Sequence, residues 1–235
     1  MRRMTTRRSS VRGKVCSAFT ALTMALLGLG LAPSGAAAEP GSAVRPVRSC
    51  EELVSDFDIP GAATHVTTAM PGGGGSTGEP EHCDVHGYVE PAVGFQLRLP
   101  TSTYAGRYLQ YGCMGLCGVI PPTPFPACGG PRGGDFAVAA TDDGHVGAGG
   151  PFLAITDGTW AANNQAARND YFYRAPHVVS LAAKRIIATY YGSPPKRSYF
   201  NGCSTGGREG LLLAQRYPTT STASSRVIRP TSWAR

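Results

Sequence analysis

The residues with the clearest chemical potential are five consecutive positions, Gly202-Cys203-Ser204-Thr205-Gly206. The spacing Gly-x-Ser-x-Gly is that of a nucleophile elbow, in which a serine occupies a sharp, strained turn between a strand and a helix. A side chain at either flanking position would collide with the neighbouring strand and helix, which explains both glycines. The motif therefore predicts that Ser204 is a nucleophile. The alternative is a glycine-rich turn at a helix N-cap, because this pattern also occurs by chance.

A serine nucleophile also needs hydrogen-bond donors for the negative charge that develops on the substrate oxygen. The backbone N–H of Thr205 is the first candidate, since it would lie at the N-terminus of the following helix. The second donor is expected in a loop after an earlier strand. Residues 112–118 form such a loop, with Gly115 or Leu116 as the candidate donor. The alternative for this loop is a surface segment held by disulfide bonds.

A catalytic triad also requires a general base and an acidic residue that orients it, and neither is found at the expected positions of this sequence. In those triads an Asp or Glu and then a His follow the serine along the chain, but no Asp and no His follows Ser204. Glu209 is the one acidic residue after it, and lies too close in the same predicted helix to orient a distant base. The histidines all precede Ser204 and are expected to be structural or surface residues: His65, His82, His86, His145 and His177.

Strands and helices alternate along the chain in the pattern of an α/β fold with a mostly parallel sheet. Period-two or short apolar patterns predict strands at 93–99, 107–111, 136–141 and 198–201. Helices are expected at 176–191 and 206–216, each followed by a glycine or proline that ends it. In the second helix Leu211, Leu212 and Leu213 are expected to face the core.

The formal charge of +7 belongs to the two ends of the chain. Residues 1–38 hold six basic and no acidic residues, an apolar stretch and an Ala-x-Ala site, as in a secretory signal peptide. A membrane anchor is the alternative, but the apolar run is shorter than the roughly 20 residues that a span requires. The pair Arg7-Arg8 is also compatible with a twin-arginine export signal. No basic patch with interleaved aromatic residues follows, so neither nucleic acid nor, after leader cleavage, a membrane is an expected partner.

Cysteine usage agrees with export, where disulfide bonds are the default. Six cysteines follow the leader: Cys50, Cys83, Cys113, Cys117, Cys128 and Cys203. Zinc binding by Cys113 and Cys117 is the alternative, but a second pair of ligands at suitable spacing is missing. No metal ligand is therefore predicted, and the pairing among Cys113, Cys117 and Cys128 stays open.

Residues 198–210 (SYFNGCSTGGREG) closely resemble the nucleophile segment of the tannase and feruloyl esterase family. Residues 137–145, 173–177 and 190–192 support the resemblance, which runs from about Cys50 to Pro218. It implies a secreted α/β-hydrolase, a serine carboxylic ester hydrolase that cleaves esters of aromatic acids such as gallate and ferulate, or a terephthalate monoester in some relatives. The implied substrates are small aromatic esters or esters of plant polyphenols and cell walls. No cofactor is implied for the chemistry, but the family's lid often binds calcium.

The resemblance also implies a pattern of disulfide bonds. Cys50 and Cys83 resemble the family's N-terminal pair. Cys203 matches a cysteine that pairs with one directly after the catalytic histidine, so it is expected to lack its partner here. Cys113 and Cys117 depart from the run of glycines that is commoner in this loop.

These observations divide the chain into a signal peptide (1–38), the N-terminal part of an α/β-hydrolase domain (39–218) and an aberrant tail (219–235). The tail contains no acidic residue, and codons for the family's Asp-Phe-Asp-Gly segment, read one base late, can encode residues 220–223. We therefore expect that the tail is a frame-shifted reading. The α/β-hydrolase fold is then incomplete, truncated after the nucleophile helix, and inactive. The apolar residues Ala137 and Phe200 are expected to be partly uncovered. The alternatives are a genuine short variant and a secreted non-catalytic binding or degenerate protein.

Overall fold

A computed structural model describes residues 43–75, 79–120 and 134–220, together with the backbone of residues 223–228. The expected signal peptide, Cys128 and residues 229–235 of the expected tail lie outside the described residues. Within the described part, no helix combines the length and the apolar character needed to cross a bilayer.

The short apolar and alternating segments of the sequence form one eight-stranded sheet with the order β1-β2-β3-β4-β6-β5-β7-β8. The strands are β1 (Asp56–Phe57), β2 (Thr64–Gly72), β3 (His82–Val89), β4 (Val93–Pro100), β5 (Arg107–Tyr111), β6 (Phe136–Thr141), β7 (Arg197–Cys203) and β8 (Ala223–Ile228). Strand β4 shows why the alternation predicts structure. Its apolar residues, two positions apart, are buried, and the residues between them are only partly covered.

The sheet is mixed, although a mostly parallel one was expected. Strands β1 to β4 pair antiparallel in sequence order, and β4 pairs antiparallel with β6. The parallel pairs are β5 with β6, β5 with β7, and β7 with β8. The physical reason is connection length: residues 90–92 alone join β3 to β4, whereas a parallel pair needs a crossover of a dozen or more residues. The expectation of an α/β fold is confirmed, but its parallel part is confined to the half that contains the elbow.

Four α-helices accompany the sheet within the described residues: α1 (Pro151–Ala154), α2 (Gln165–Asn169), α3 (Ala175–Tyr191) and α4 (Thr205–Arg216). A π-helical turn at Asp170–Arg174 joins α2 to α3. Helix α3 ends at Gly192, whose positive φ of 74° suits a C-terminal glycine. Both predicted helices are therefore found, each within one residue of its expected start and end.

Helix α3 packs on the sheet and supplies much of the core. Its residues Val178, Val179 and Ile186 share a buried cluster with Phe95 and Leu97 of β4. Ala137 and Phe200, which we expected to be partly uncovered, are 0% and 3% exposed. That expectation is wrong because α3 packs against β6 and α4 against β7 within this chain.

In α4 only one of three consecutive leucines is fully buried. Leu213 is 4% exposed, whereas Leu211 is 53% exposed. The expectation that all three face the core is wrong, since successive residues of an α-helix point about 100° apart.

The expected aberrant tail contributes backbone to the sheet. Strand β8 lies in it and pairs parallel with β7, with Asn201 opposite Arg226 and Gly202 opposite Val227. The frame-shift interpretation of residues 219–235 stays a prediction.

Candidate active site

Ser204 occupies the turn between β7 and α4, where the sequence motif predicts it. Its backbone has φ 54° and ψ −123°, a left-handed conformation that is rare for a residue with a side chain. The Ser204 side chain is exposed, whereas Gly202 and Gly206 on either side are buried. The turn thus presents one hydroxyl to solvent at the parallel end of the sheet.

The two glycines of the motif allow a close approach of backbone segments. A Cβ at Gly202 would lie 2.6 Å from the carbonyl carbon of Gly206. A Cβ at Gly206 would lie 3.0 Å from the backbone of Gly112, in the loop after β5. Strand β7, helix α4 and this loop therefore meet at distances that only glycine permits.

Hydrogen bonds fix the loop at residues 112–118 beside the elbow. The Gly206 N–H donates to the Cys113 carbonyl at 3.0 Å. The Gly115 carbonyl accepts from the Thr205 hydroxyl at 2.6 Å and from the Tyr171 hydroxyl at 3.1 Å. These contacts hold the peptide after Gly115 in one orientation, directly against the start of α4.

Backbone contacts also distinguish between the two candidate oxyanion donors of this loop, the N–H groups of Gly115 and Leu116. The Leu116 N–H donates to the Ile155 carbonyl at 2.8 Å, so it is already engaged within the protein. Gly115 has a positive φ of 55°, and a Cβ there would lie 2.3 Å from the Ile155 carbonyl oxygen. Gly115 therefore stays the candidate for the second oxyanion donor, with the Thr205 N–H as the first.

The two histidines that lie within the family-like segments, His145 and His177, both have structural partners. His145 Nε2 lies 2.8 Å from the Leu116 carbonyl oxygen, and the ring stacks on Trp160 with centroids 3.8 Å apart. His177 Nδ1 lies 3.0 Å from the Thr220 hydroxyl, and its ring stacks on Tyr217 at 3.7 Å. Burial lowers the pKa of both imidazoles.

The other three histidines lie on the antiparallel half of the sheet. His65 bridges two carboxylates, at 2.7 and 2.9 Å, which raises its pKa. His82 contacts a nearby carbonyl, and His86 lies 3.5 Å from a carboxylate of its own strand. No hydrogen bond joins the Ser204 hydroxyl to a histidine of the described residues.

A pair of buried carboxyl groups lies behind the elbow, and sequence reasoning missed it. Asp143 follows β6 and is 0% exposed, and Glu209 of α4 is 2% exposed. A carboxyl oxygen of Asp143 lies within 4.8 Å of a carboxyl oxygen of Glu209. A signal existed in the sequence, because Glu209 shares the helical spacing of Gly206 and Leu213, which face inward.

The carboxyl pair adjoins a disulfide bond between Cys113 and Cys117. Together the four side chains bring a sulfur or oxygen atom each to within 4.8 Å of one another. A disulfide sulfur is not the thiolate that zinc requires, so the donor set as bonded does not fit such an ion. Two adjacent carboxyl groups fit a shared proton instead.

The described cysteines are all oxidised. Cys50 is bonded to Cys83, the pair that the family resemblance implies, with Cα atoms 5.5 Å apart. Cys203 is also disulfide-bonded. The expectation that Cys203 lacks a partner is therefore wrong. The sequence analysis considered only a partner directly after a catalytic histidine, whereas in the structure Cys203 forms its disulfide bond within this chain.

Comparison with known proteins places the chain among esterases. A family model described as "Tannase and feruloyl esterase" matches residues 76–221, which is more than half of the chain. The mono(2-hydroxyethyl) terephthalate hydrolase of Piscinibacter sakaiensis is 33% identical over 198 residues, covering 73% of this chain and 32% of that protein. A probable feruloyl esterase B-2 of Aspergillus flavus is 34% identical over 143 residues, covering 58% and 25% of the two chains.

Solved structures show the same fold. Feruloyl esterase B from Aspergillus oryzae superposes with a TM-score of 0.58 at 23% identity, over 74% of this chain and 36% of that one. The chain spans about a third or less of the length of the two curated relatives. With the family match over residues 76–221 and the elbow at Ser204, the chain belongs to the tannase and feruloyl esterase family.

Proposed function

We propose that this chain carries the nucleophile of a secreted serine carboxylic ester hydrolase that acts on esters of aromatic acids. The observation that carries the proposal is the exposed Ser204 in a left-handed turn between β7 and α4. Family membership supports ester hydrolysis. The relatives' names mention terephthalate and feruloyl esters, which supports an aromatic acyl group.

In the proposed mechanism of the intact enzyme, the Ser204 hydroxyl attacks the ester carbonyl while a histidine other than the five in this chain removes its proton, and an aspartate orients that histidine. The N–H groups of Thr205 and Gly115 stabilise the oxyanion of the tetrahedral intermediate, and the positive end of the α4 dipole adds to this effect. When the intermediate collapses, the bond to the leaving oxygen breaks and the histidine donates its proton to that oxygen, which releases the alcohol. Water then attacks the acyl enzyme and releases the aromatic acid. The calcium that the resemblance implies belongs to a lid, and no step of this mechanism uses it.

The proposal includes export, which the disulfide bond between Cys50 and Cys83 supports. The basic and apolar character of residues 1–38 supports it independently. The substrate would then be a small aromatic ester or an ester of plant polyphenols or cell walls, met outside the cell.

Among the described residues no base contacts Ser204, because the five histidines lie or are engaged elsewhere. We therefore expect no detectable hydrolysis of methyl ferulate or methyl gallate by the purified chain. Oxyanion donors without a complete triad still accelerate reaction by about 10³–10⁴-fold over water in serine hydrolases. Ser204 is thus expected to react with an activated reagent even when turnover of a natural ester is absent.

Covalent labelling tests the proposal against the alternative of a non-catalytic binding or degenerate protein. The native chain is treated with an alkyl fluorophosphonate, and the modified residue is located by tandem mass spectrometry. We expect an adduct on Ser204 that forms faster than in urea-unfolded chain and is lost in Ser204→Ala, whereas Ser55→Ala labels like the wild type. A binding or degenerate protein gives no preference for Ser204, and robust hydrolysis of either ester would contradict the expected inactivity.

A further inference from the structure

We propose that Asp143 and Glu209 share one proton and thereby hold the loop at residues 112–118 against helix α4. They would be positioning residues for the chemistry of Ser204. The consequence for catalysis rests on the proposed function, but the proton-dependent contact between loop and helix does not.

Three elements meet at this pair. Glu209 comes from α4, Asp143 follows β6, and Cys113 belongs to the loop after β5. Glu209 Oε2 accepts the Cys113 N–H at 3.3 Å, and Glu209 Oε1 lies 2.8 Å from Cys113 Sγ. Asp143 Oδ2 lies 3.4 Å from Cys113 Sγ and 3.3 Å from Cys117 Sγ. The pair therefore contacts the loop on both sides of Gly115, at Cys113 and at Cys117.

A proton between the two groups follows from their chemistry. Carboxyl oxygens of Asp143 and Glu209 lie within 4.8 Å of each other. Two ionised carboxylates at this separation repel each other and can only accept hydrogen bonds, so an attractive contact between them requires one of them to be protonated. Both side chains are at least 98% buried, where a second negative charge without a paired cation is strongly unfavourable. The Asp143 Oδ1 atom is itself buried without a hydrogen-bond partner in the described part of the chain.

The surrounding charges do not replace that proton. Arg208 lowers the pKa of both carboxyl groups, but its guanidinium lies over the Tyr171 ring at 4.2 Å and donates to the Tyr171 carbonyl at 2.9 Å. Asp142 adds a second acidic group that raises the pKa of Asp143. The disulfide sulfurs of Cys113 and Cys117 do not titrate.

Burial dominates the balance and favours the protonated form. It raises the pKa of Glu209 to about 7 and that of Asp143 well above its usual range. Asp142 also has a raised pKa of about 7, but its carboxyl group accepts the N–H groups of Gly94 and Gly144, and only its backbone carbonyl accepts an N–H of the loop, that of Gly118 at 3.0 Å. Loss of the shared proton would place two adjacent negative charges beneath Cys113 and weaken the contact between loop and helix.

Hydrogen–deuterium exchange of the full chain tests the inference at pH 6 and pH 8, corrected for the intrinsic pH dependence of exchange. In the wild type we expect protection of the amides at 112–118 to fall about tenfold or more, because one pKa unit corresponds to a factor of ten. Glu209→Gln keeps an acceptor for Cys113 and removes the shared proton, so protection should stay constant within about threefold. Asp143→Asn should behave in the same way. Glu51→Gln, at an exposed site, is the control and should follow the wild type.

Each outcome decides the question. Wild-type protection that is equal at both pH values, or a Glu209→Gln variant that loses protection as the wild type does, overturns the inference. If one variant does not fold, the other is measured in the same way. Fluorophosphonate labelling of the same samples distinguishes the two proposals. If protection of the loop depends on pH but Ser204 forms no adduct, the proposed function is contradicted, whereas the shared proton between Asp143 and Glu209 is supported.

Discussion

At the scale of single residues, Ser204 combines exposure with an unfavourable backbone conformation. Its φ of 54° lies in the region that residues with a Cβ avoid, while its neighbours Gly202 and Gly206 are buried. Such strain at one residue costs about 1–3 kcal/mol and persists where the surrounding structure enforces it. The hydrogen bonds and close contacts around α4 supply that enforcement.

We therefore expect Ser204→Gly to be more stable than Ser204→Ala by about 1 kcal/mol, because glycine adopts a positive φ without a Cβ clash. Urea denaturation followed by circular dichroism measures the difference. Ser55→Gly against Ser55→Ala, at an exposed site, is the matched control and should show no such gain for glycine. Equal stability of the two Ser204 variants would mean that the turn is not strained.

The sequence predicted the elbow at residue level but not what lies behind it. The Gly-x-Ser-x-Gly spacing is sufficient for Ser204, since its physical meaning is local. The buried pair of Asp143 and Glu209 joins residues 66 positions apart, and only the packing of three elements brings them together. For the same reason the sequence could not show that Cys203 is oxidised within this chain.

At the scale of elements, the site depends on the close packing of β7, α4 and the loop after β5. Glycines at 112, 202 and 206 permit backbone contacts that a methyl group would fill. The Thr205 hydroxyl then joins the start of α4 to the Gly115 carbonyl at 2.6 Å. Strand, helix and loop therefore form one unit that fixes the candidate oxyanion donors.

Gly202→Ala should destabilise the fold by about 1–3 kcal/mol, the usual cost of overpacking, because its Cβ would lie 2.6 Å from Gly206 backbone atoms. Gly134→Ala is the control, since a Cβ there meets nothing within 4 Å. Thermal or urea unfolding of the two variants provides the measurement. A Gly202→Ala protein as stable as Gly134→Ala would show that the elbow tolerates a side chain.

The sequence predicted the positions of the helices and strands better than it predicted whether neighbouring strands pair parallel or antiparallel. Strong local patterns located β4, β5, β6, α3 and α4, because period-two alternation and helical spacing are local properties. Strands β2 and β3 have weaker patterns and were missed. The antiparallel half of the sheet follows from short connections such as residues 90–92, which the strand predictions alone did not include.

At the scale of the whole molecule, several buried acidic residues make the free energy of unfolding depend on pH, and the direction of this dependence follows from their pKa shifts. Burial raises the pKa of Asp142 and Glu209 to about 7, and raises that of Asp143 well above its usual range. A carboxyl with a raised pKa binds its proton more tightly in the folded state, so its contribution to stability is full below the unfolded pKa and is lost as the pH rises through the folded pKa. The lowered pKa values of His145 and His177 act in the opposite direction, and only below about pH 6.5.

We therefore expect the free energy of unfolding to fall between pH 6.5 and pH 8.5, by up to about 1.4 kcal/mol per pH unit for each acid that stays protonated in the folded state alone. Urea titrations at half-unit intervals of pH measure this slope. Glu209→Gln should flatten the curve, whereas Glu51→Gln should leave it unchanged. A stability that is constant or rises over this interval would contradict the buried protonated acids.

We propose that Ser204, Thr205 and Gly115 form an acylation site in this member of the tannase and feruloyl esterase family. The most direct test is a crystal structure of the chain after reaction with an aryl or alkyl fluorophosphonate. We expect a bond from Ser204 Oγ to phosphorus and a phosphonyl oxygen about 2.7–3.1 Å from the N–H nitrogens of both Thr205 and Gly115. An adduct on another residue, or a phosphonyl oxygen that lies away from both N–H groups, would contradict it.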